Sequence, residues 1–280
     1  MKKTSPLTGP GSQQASEDGD FAFMEMPKGM QTYGTPEMPE PEDSAAFRPA
    51  LEKLEAVLTT LRLAPKSGAS MEIDLRDLDA ANRGFIDQAL GEGEVSIIAG
   101  AAIQVQESVL AGVWRVHEVD KSGALAGDVI EVGEFPQAVL QAAQDATETN
   151  LRPLDAAAMA DLMNAPALAA ELADKLATFT PEAPVHVINL TLLPVSEGDL
   201  AYLDKRLGEG AITILSRGYG NCRISSTAVK NAWWVRYFNS RESLILNTIE
   251  VTRIPGVACA AVQDLEDSAE RLAEILEVYR

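Results

Sequence analysis

The chain contains two copies of one segment, and this internal repeat constrains the fold more than any other feature of the sequence. Residues 85–97 align with residues 202–214 through a shared Leu-Gly-Glu-Gly. Farther along, residues 103–145 align with residues 222–264 without a gap, and the alignment pairs tryptophan with tryptophan and proline with proline. Because chance rarely keeps a register over so many residues, we interpret the chain as two copies of one supersecondary unit.

Each copy predicts the same order of elements. A short strand at 71–75, or at 185–193 in the second copy, leads into a helix that ends at the first glycine of Leu-Gly-Glu-Gly. Four β-rich runs and a helix that begins at a proline follow. The runs lie at 94–99, 103–109, 113–119 and 125–132, and at 211–216, 222–228, 232–238 and 244–251. The predicted fold class is α+β: two tandem similar units, each an antiparallel sheet with helices on one face, related by a pseudo-two-fold axis.

Composition divides the chain into segments. Residues 1–43 are rich in Pro, Gly, Ser and acidic residues, which predicts a disordered acidic tail because little apolar surface is available to offset chain entropy. An alternative is that Phe21, Phe23 and Met26 anchor a motif that folds onto a partner. We expect the first α+β repeat at 44–150, a helical linker at 151–184 and the second α+β repeat at 185–280.

The charge of the chain excludes several classes of partner. It has 23 Lys and Arg against 42 Asp and Glu, a formal net charge of −19, so nucleic acid and anionic membranes would be repelled and a cationic partner is favoured. No apolar run approaches the ~18 residues of a membrane span, and no apolar segment follows the first lysines. We therefore expect a cytoplasmic protein with no membrane span and no nucleic-acid partner. Cys222 and Cys259 are then expected to be reduced thiols.

Motifs for catalysis or cofactor binding are weak in this sequence. Gly218-x-Gly220 lacks the third glycine of a dinucleotide fingerprint and precedes a predicted strand. Neither histidine lies near a cysteine with metal-ligand spacing, and there is no G-x-S-x-G motif. We expect no cofactor, no metal and no catalytic residue. One alternative stays open, because Arg217 and Arg223 could lower the pKa of the Cys222 thiol between them.

The candidate site comes from differences between the two copies. Strand alternation places Trp234, Arg236 and Phe238 on one face, where the first copy is largely polar. Exposed aromatic residues and arginine are typical of protein-binding surfaces. We predict a partner-binding surface formed by Arg217, Tyr219, Asn221, Cys222, Arg223, Trp234, Arg236 and Phe238. The alternative is that connecting helices or the other copy cover Trp234 and Phe238.

The stretches LGEGAITILSRGYGNCRISSTAVKNAWWVRYFNS, ILNTIEVTRIPGVACAA and DLEDSAERLAEILE resemble the C-terminal region of the HupH/HyaF/HoxQ family, the hydrogenase expression and formation proteins encoded with uptake NiFe hydrogenases. The resemblance is strong over the second copy and weaker over the first. It implies an accessory maturation chaperone, not an enzyme, that binds the precursor of the iron–sulfur small subunit before export. The twin-arginine leader is one candidate segment, and a thioredoxin-like accessory chaperone is an implied second partner. The alternative is a metal- or cluster-handling maturation factor that uses Cys222.

Overall fold

The structure is a computed structural model of the chain, and it describes residues 45–67, 70–145, 148–154, 162–218 and 220–280. The predicted tail at 1–43 lies outside the described residues. The first repeat consists of α1 (Arg48–Ser67), β1 (Met71–Asp74), α2 (Ala80–Leu90), β2 (Val95–Ala99), β3 (Ile103–Glu107), β4 (Val113–Val119), β5 (Leu125–Val132) and α3 (Gln137–Gln144). The second consists of α4 (Ala165–Ala177), β6 (His186–Asn189), α5 (Glu197–Leu207), β7 (Glu209–Ser216), β8 (Asn221–Thr227), β9 (Ala232–Phe238), β10 (Leu244–Val251), a short 3-10 helix (Gly256–Ala258) and α6 (Val262–Glu277). Across the described part of the chain, no helix combines the length and the apolarity that crossing a membrane requires.

The second helix of each repeat begins at a side-chain cap and ends at a glycine, as the sequence predicts. Asp79 caps α2 by accepting a first-turn N–H at 2.8 Å. Ser196 caps α5 in a reciprocal capping box with Asp199. Both helices end at the first glycine of Leu-Gly-Glu-Gly, where φ is +55° at Gly91 and +64° at Gly208. A residue with a Cβ would be strained at such φ values, so the shared motif is confirmed as a helix stop.

The ten strands form one continuous antiparallel sheet in the order β1-β5-β4-β3-β2-β7-β8-β9-β10-β6. Strands β2 and β7 join the repeats at its centre and pair Ile97 with Ile214, which are equivalent residues of the two copies. When each residue is replaced by its equivalent in the other copy, the pair on one side of Ile97–Ile214 becomes the pair on the other side. A pairing that is unchanged when the two strands are exchanged has a two-fold axis at its midpoint. The predicted α+β class and pseudo-two-fold axis are confirmed, and the axis passes between Ile97 and Ile214.

Three apolar clusters lie on the two faces of this sheet. Strand β4 alternates between the faces, with Val113 in an end cluster and Trp114 in a central cluster. The central cluster is covered by α3 and the 3-10 helix and contains Trp114 and its equivalent, Trp233. The opposite face carries one cluster at each end, covered by α1, α2 and α6 in the first repeat and by α4 and α5 in the second. Trp114 is 0% exposed and Trp233 2% exposed, which confirms that the equivalent tryptophans belong to the core.

Helix α4 lies within 151–184, the range expected to form a helical linker. Asp199 of α5 accepts the backbone N–H of Ala165 at 2.9 Å, at the start of α4. Its equivalent in α2, Asn82, accepts the backbone N–H of Ala50 at 3.1 Å, near the start of α1. Helix α4 therefore occupies in the second repeat the place of α1 in the first, while the boundaries of the linker stay a prediction. Burial disfavours a charged Asp199, but the N–H donors around it outweigh burial and lower its pKa to about 2.

The last helix, α6, leaves the second repeat and packs on the first. Leu265, Leu272 and Leu276 are buried in the same cluster as Leu54 and Leu61 of α1. The repeats are therefore connected through the β2–β7 pairing, through the central cluster that they share and through the contact of α6 with α1.

Candidate partner-binding surface

The predicted surface residues fall mainly on β8 and β9, which are neighbours in the sheet. Arg223 lies opposite Arg236 and Asn221 lies opposite Phe238. Residues opposite each other on antiparallel strands point to the same face, so these four side chains share the face that carries α2 and α5. Tyr219 lies outside the described residues. The structure thus brings together the two arginines that the sequence placed on separate strands.

The expectation of an exposed Trp234 is wrong. Its side chain is 6% exposed and lies in the end cluster of the second repeat, beneath α4 and α5. The indole N–H donates to Asn247 Oδ1 at 2.5 Å, and Cζ of Arg236 lies 4.8 Å from the centroid of the Trp234 rings. The alternative, in which helices cover this indole, is therefore correct. Trp234 supports the guanidinium of Arg236 and is not itself available as an exposed anchor.

The first repeat has an ion pair where the second has this indole. Arg115, the equivalent of Trp234, places Nε 2.8 Å from a carboxylate oxygen of Asp128, the equivalent of Asn247. Asp128 is 1% exposed. A second carboxylate, Asp87 of α2, lies 3.3 Å from the same guanidinium. The arginine of the first repeat is thus neutralised within its own repeat.

Cys222 lies on the opposite face of the sheet and is buried. It is 3% exposed and belongs to the central cluster. Burial raises the pKa of its thiol to about 11, although a hydrogen bond with Tyr237 acts in the other direction. Arg223 follows Cys222 along β8, so its side chain lies on the other side of the sheet. The prediction that the Cys222 side chain is part of the surface is therefore wrong, and burial rules against the alternative in which neighbouring arginines lower the pKa of its thiol.

A groove of about 330 Å³ lies where β7 and β9 end and β8 begins. Arg217, Arg223 and Phe238 are among the residues that line it. Arg217 and Arg223 are exposed and Phe238 is half-buried, with Cζ of Arg223 5.9 Å from the centroid of the Phe238 ring. The predicted residues therefore form a groove that combines two cationic side chains with an aromatic ring.

Two exposed apolar residues on this face did not enter the sequence-based prediction. Ile98 of β2 is 55% exposed and its equivalent in β7, Leu215, is 36% exposed. Their neighbours Ile97 and Ile214 belong to the central cluster on the opposite face. Ile98 and Leu215 therefore occupy outward positions of the strand alternation. An apolar residue at the outward position in both copies is the signal that could have identified them.

These residues lie on an exposed strip of the sheet between α2 and α5, which we call the central trough. Cross-strand pairing makes its floor continuous from β3 to β8. The floor is formed by Ile98, Gln104, Thr213, Leu215 and Arg223, all of which are exposed.

Comparison with known proteins gives the same repeat organisation. The family model described as HupH hydrogenase expression protein, C-terminal conserved region, matches twice, at residues 47–159 and 162–279. The chain is 48% identical to the hydrogenase expression/formation protein HoxQ of Cupriavidus necator, over 97% of this chain and 95% of that protein. It is 49% identical to HupH of Rhodobacter capsulatus, over 97% and 96%, and 35% identical to the hydrogenase-1 operon protein HyaF of Escherichia coli, over 97% and 95%. A solved structure, the hydrogenase expression protein HupH from Thiobacillus denitrificans, is 28% identical with a TM-score of 0.37 and covers 41% of this chain and 93% of its own.

The fold and its exposed face define a tandem-repeat α+β protein in which each repeat supplies half of one sheet. The family match extends over both repeats, and the relatives match nearly the whole chain. The chain belongs to the HupH hydrogenase expression protein family, as its resemblance to that family predicted.

Proposed function

We propose that this chain is an accessory, non-catalytic protein of hydrogenase maturation that binds the immature iron–sulfur small subunit of an uptake NiFe hydrogenase in the cytoplasm, before export. Relatives that match nearly its whole length are named hydrogenase expression/formation proteins, which supports the maturation role. The small subunit as client, with its twin-arginine leader as one contact, comes from the family resemblance of the second repeat.

The observation that carries this proposal is the exposed apolar centre of the central trough. Apolar side chains of a sheet are ordinarily covered by helices or by another sheet. Ile98 and Leu215 are instead exposed at the centre of the molecule, next to the arginine-lined groove. Apolar side chains bordered by arginine are typical of protein-binding surfaces. A protein that holds a client for a limited time needs a surface of this kind in its free state.

The charge of the chain supports a client with a basic leader. A formal net charge of −19 attracts an arginine-bearing segment over distances of about a Debye length and raises the rate of encounter. The proposal includes the thioredoxin-like accessory chaperone as a second partner on the same client, as the resemblance implies.

The surroundings of Cys222 do not favour the alternative role in metal or cluster handling. A thiol binds metal as thiolate, and burial opposes that form here by raising the pKa to about 11. Among the described residues, no group of three His, Cys, Asp or Glu side chains is placed to hold a metal ion. We assign Cys222 a packing role in the central cluster.

The test is copurification of the full-length chain with the untagged small-subunit precursor from the same operon. We expect a stable complex with the precursor, and a complex that forms more slowly but persists when the leader is removed. The charge-steered part of the association rate should fall as salt is raised.

Cys222→Ser provides the control. Under the proposal, this variant leaves client binding and hydrogenase maturation nearly unchanged. If Cys222 instead handles a metal cluster, the variant should abolish maturation. Failure to bind the precursor with or without its leader, or purification of the chain with stoichiometric iron or nickel, contradicts the proposal.

A further inference from the structure

The central trough has the width of one α-helix. Helix α2 contacts β4 through the ion pair of Asp87 with Arg115, and α5 packs on β9 in the cluster that contains Leu203 and Trp234. The floor between these contacts consists of β3, β2, β7 and β8. Neighbouring strands lie about 4.8 Å apart, so four strands span roughly 15–20 Å. A helix with its side chains is about 10–12 Å across, so a single helix fits between α2 and α5.

The apolar centre of the trough matches one stripe of such a helix. Ile98 lies opposite Thr213 and Ser96 lies opposite Leu215, so Ile98 and Leu215 are diagonal neighbours across the pseudo-two-fold axis. Diagonal side chains in a sheet are about 7–8 Å apart, which places the two in one patch. Apolar residues three and four positions apart on a helix form a stripe of similar spacing.

Arg223 and Arg236 place two guanidinium groups on one side of the trough without a direct ion pair to any described residue. They lie directly opposite each other on β8 and β9, an arrangement that destabilises a sheet. No carboxylate of the described residues lies within 4.0 Å of either guanidinium. Each guanidinium is stacked near an aromatic ring, that of Phe238 or of Trp234, which reduces the entropy lost on binding. The pair is therefore preorganised for carboxylates supplied by a partner.

The other side of the trough lacks this charge. The equivalent of Arg223 is Gln104, and the equivalent of Arg236 is His117. Arg115, the nearest guanidinium on that side, is held by two carboxylates. The trough thus has a polar side, an apolar centre and a cationic side. A second copy of the chain is a poor occupant. A two-fold contact through this face sets the arginines either against the same arginines or against the polar side, where the nearby carboxylates already hold Arg115.

We propose that the central trough binds one amphipathic α-helix of the client, with apolar residues on Ile98 and Leu215 and Asp or Glu side chains on Arg223 and Arg236. The inference rests on the proposed function for the identity of the client, the hydrogenase small subunit. It adds which surface of this chain binds the client and which kind of client segment is bound. That segment belongs to the mature part of the client, because Arg223 and Arg236 would repel an arginine-rich leader.

Site-specific photocrosslinking tests the location. A benzophenone amino acid is placed at Ile98 or Leu215 of the full-length chain, and at Leu192, which is 81% exposed and lies after β6, as the control. With leaderless small subunit we expect crosslinks from positions 98 and 215 to one acidic client segment, and few from position 192. A complex that forms without crosslinks from either trough position overturns the inference and leaves the proposed function standing. Absence of any complex overturns both.

Charge substitutions test the chemistry. Arg223→Gln combined with Arg236→His installs the residues that the first repeat has at these positions, so the fold should accept them. We expect the Kd for leaderless small subunit to rise at least tenfold and its salt dependence to decrease. The matched control is the double variant Arg241→Gln with Arg271→Gln, which removes two exposed arginines outside the trough. An equal change in Kd for both double variants, or no change in either, overturns the assignment of carboxylates to Arg223 and Arg236.

Discussion

At the scale of single residues, the two copies keep the same order of elements but differ in their buried polar groups. Glu107 is equivalent to Ser226, and only Glu107 carries an ionisable group. It is 7% exposed and accepts the backbone N–H of Gly112 at 3.4 Å. Burial raises the pKa of Glu107 to about 7, against the effect of that N–H, and the charges of Glu94 and Asp264 act in the same direction as burial. Glu107 therefore couples the stability of the first repeat to pH.

Glu107→Gln should remove the part of the pH dependence of the free energy of unfolding that lies between pH ~4.5 and pH ~7. The folded state binds the proton of Glu107 more tightly than the unfolded state does. The contribution of that proton to the free energy of unfolding is therefore complete below pH ~4.5 and is lost as the pH rises through about 7. At pH 8 we expect the variant to be more stable than the wild type by up to about 3 kcal/mol, and at pH 4.5 to be equally stable. Urea unfolding at the two pH values measures the difference. Glu92→Gln, a nearby exposed carboxylate, is the control, and an unchanged pH profile in Glu107→Gln would refute the assignment.

At the scale of elements, α6 serves the first repeat although it follows the second in sequence. Its buried face includes Leu265 and Leu272, which lie in the cluster of α1 and α2. Gly112 makes close approach possible, since a Cβ at this residue would lie 2.1 Å from Leu265 Cδ2. The helix therefore completes a core that the first repeat cannot close with its own residues.

Leu272→Ala should lower the free energy of unfolding by about 2–5 kcal/mol, the usual cost of a large cavity in a packed core. Leu272 is 0% exposed, whereas Val262 of the same helix is 50% exposed, so Val262→Ala should cost less than about 0.5 kcal/mol. Denaturant unfolding followed by tryptophan fluorescence measures both. Similar small losses for the two variants would show that α6 does not complete the core of the first repeat.

At the scale of the whole molecule, the repeats form one body in which neither half is complete. The described residues all belong to one compact unit, Pro36–Arg280. Strands β2 and β7 continue the sheet across the pseudo-two-fold axis, and α6 crosses from one repeat to the other. The central trough depends on this arrangement, because its floor takes two strands from each repeat.

Cleavage between the repeats should therefore leave the halves associated. A protease site is introduced within 155–161, where one family match gives way to the next, and the chain is treated with the protease after it has folded. We expect the cut protein to elute as one species in size-exclusion chromatography and to separate only in denaturant. The uncut insertion variant is the control. Separation of the halves in native buffer would contradict the inference that these contacts hold the repeats together.

Much of the fold could be predicted from particular residues. Leu-Gly-Glu-Gly marks the ends of α2 and α5, and the aligned tryptophans mark the core. The candidate site was predicted less well. Alternation correctly placed Trp234 and Arg236 on one face, but Trp234 is covered and Cys222 points to the other side. Alternation determines which side chains share a face, and it carries no information on which face a distant helix will cover.

From the amino-acid sequence alone one obtains the doubling of the unit, the order of its elements and the family, because each depends on local pattern and similarity along the chain. Packing alone decided that two sheets became one, that α6 serves the other repeat and that Ile98 and Leu215 stay exposed. Those outcomes depend on contacts between residues far apart in sequence, and such contacts form only when both repeats are folded together.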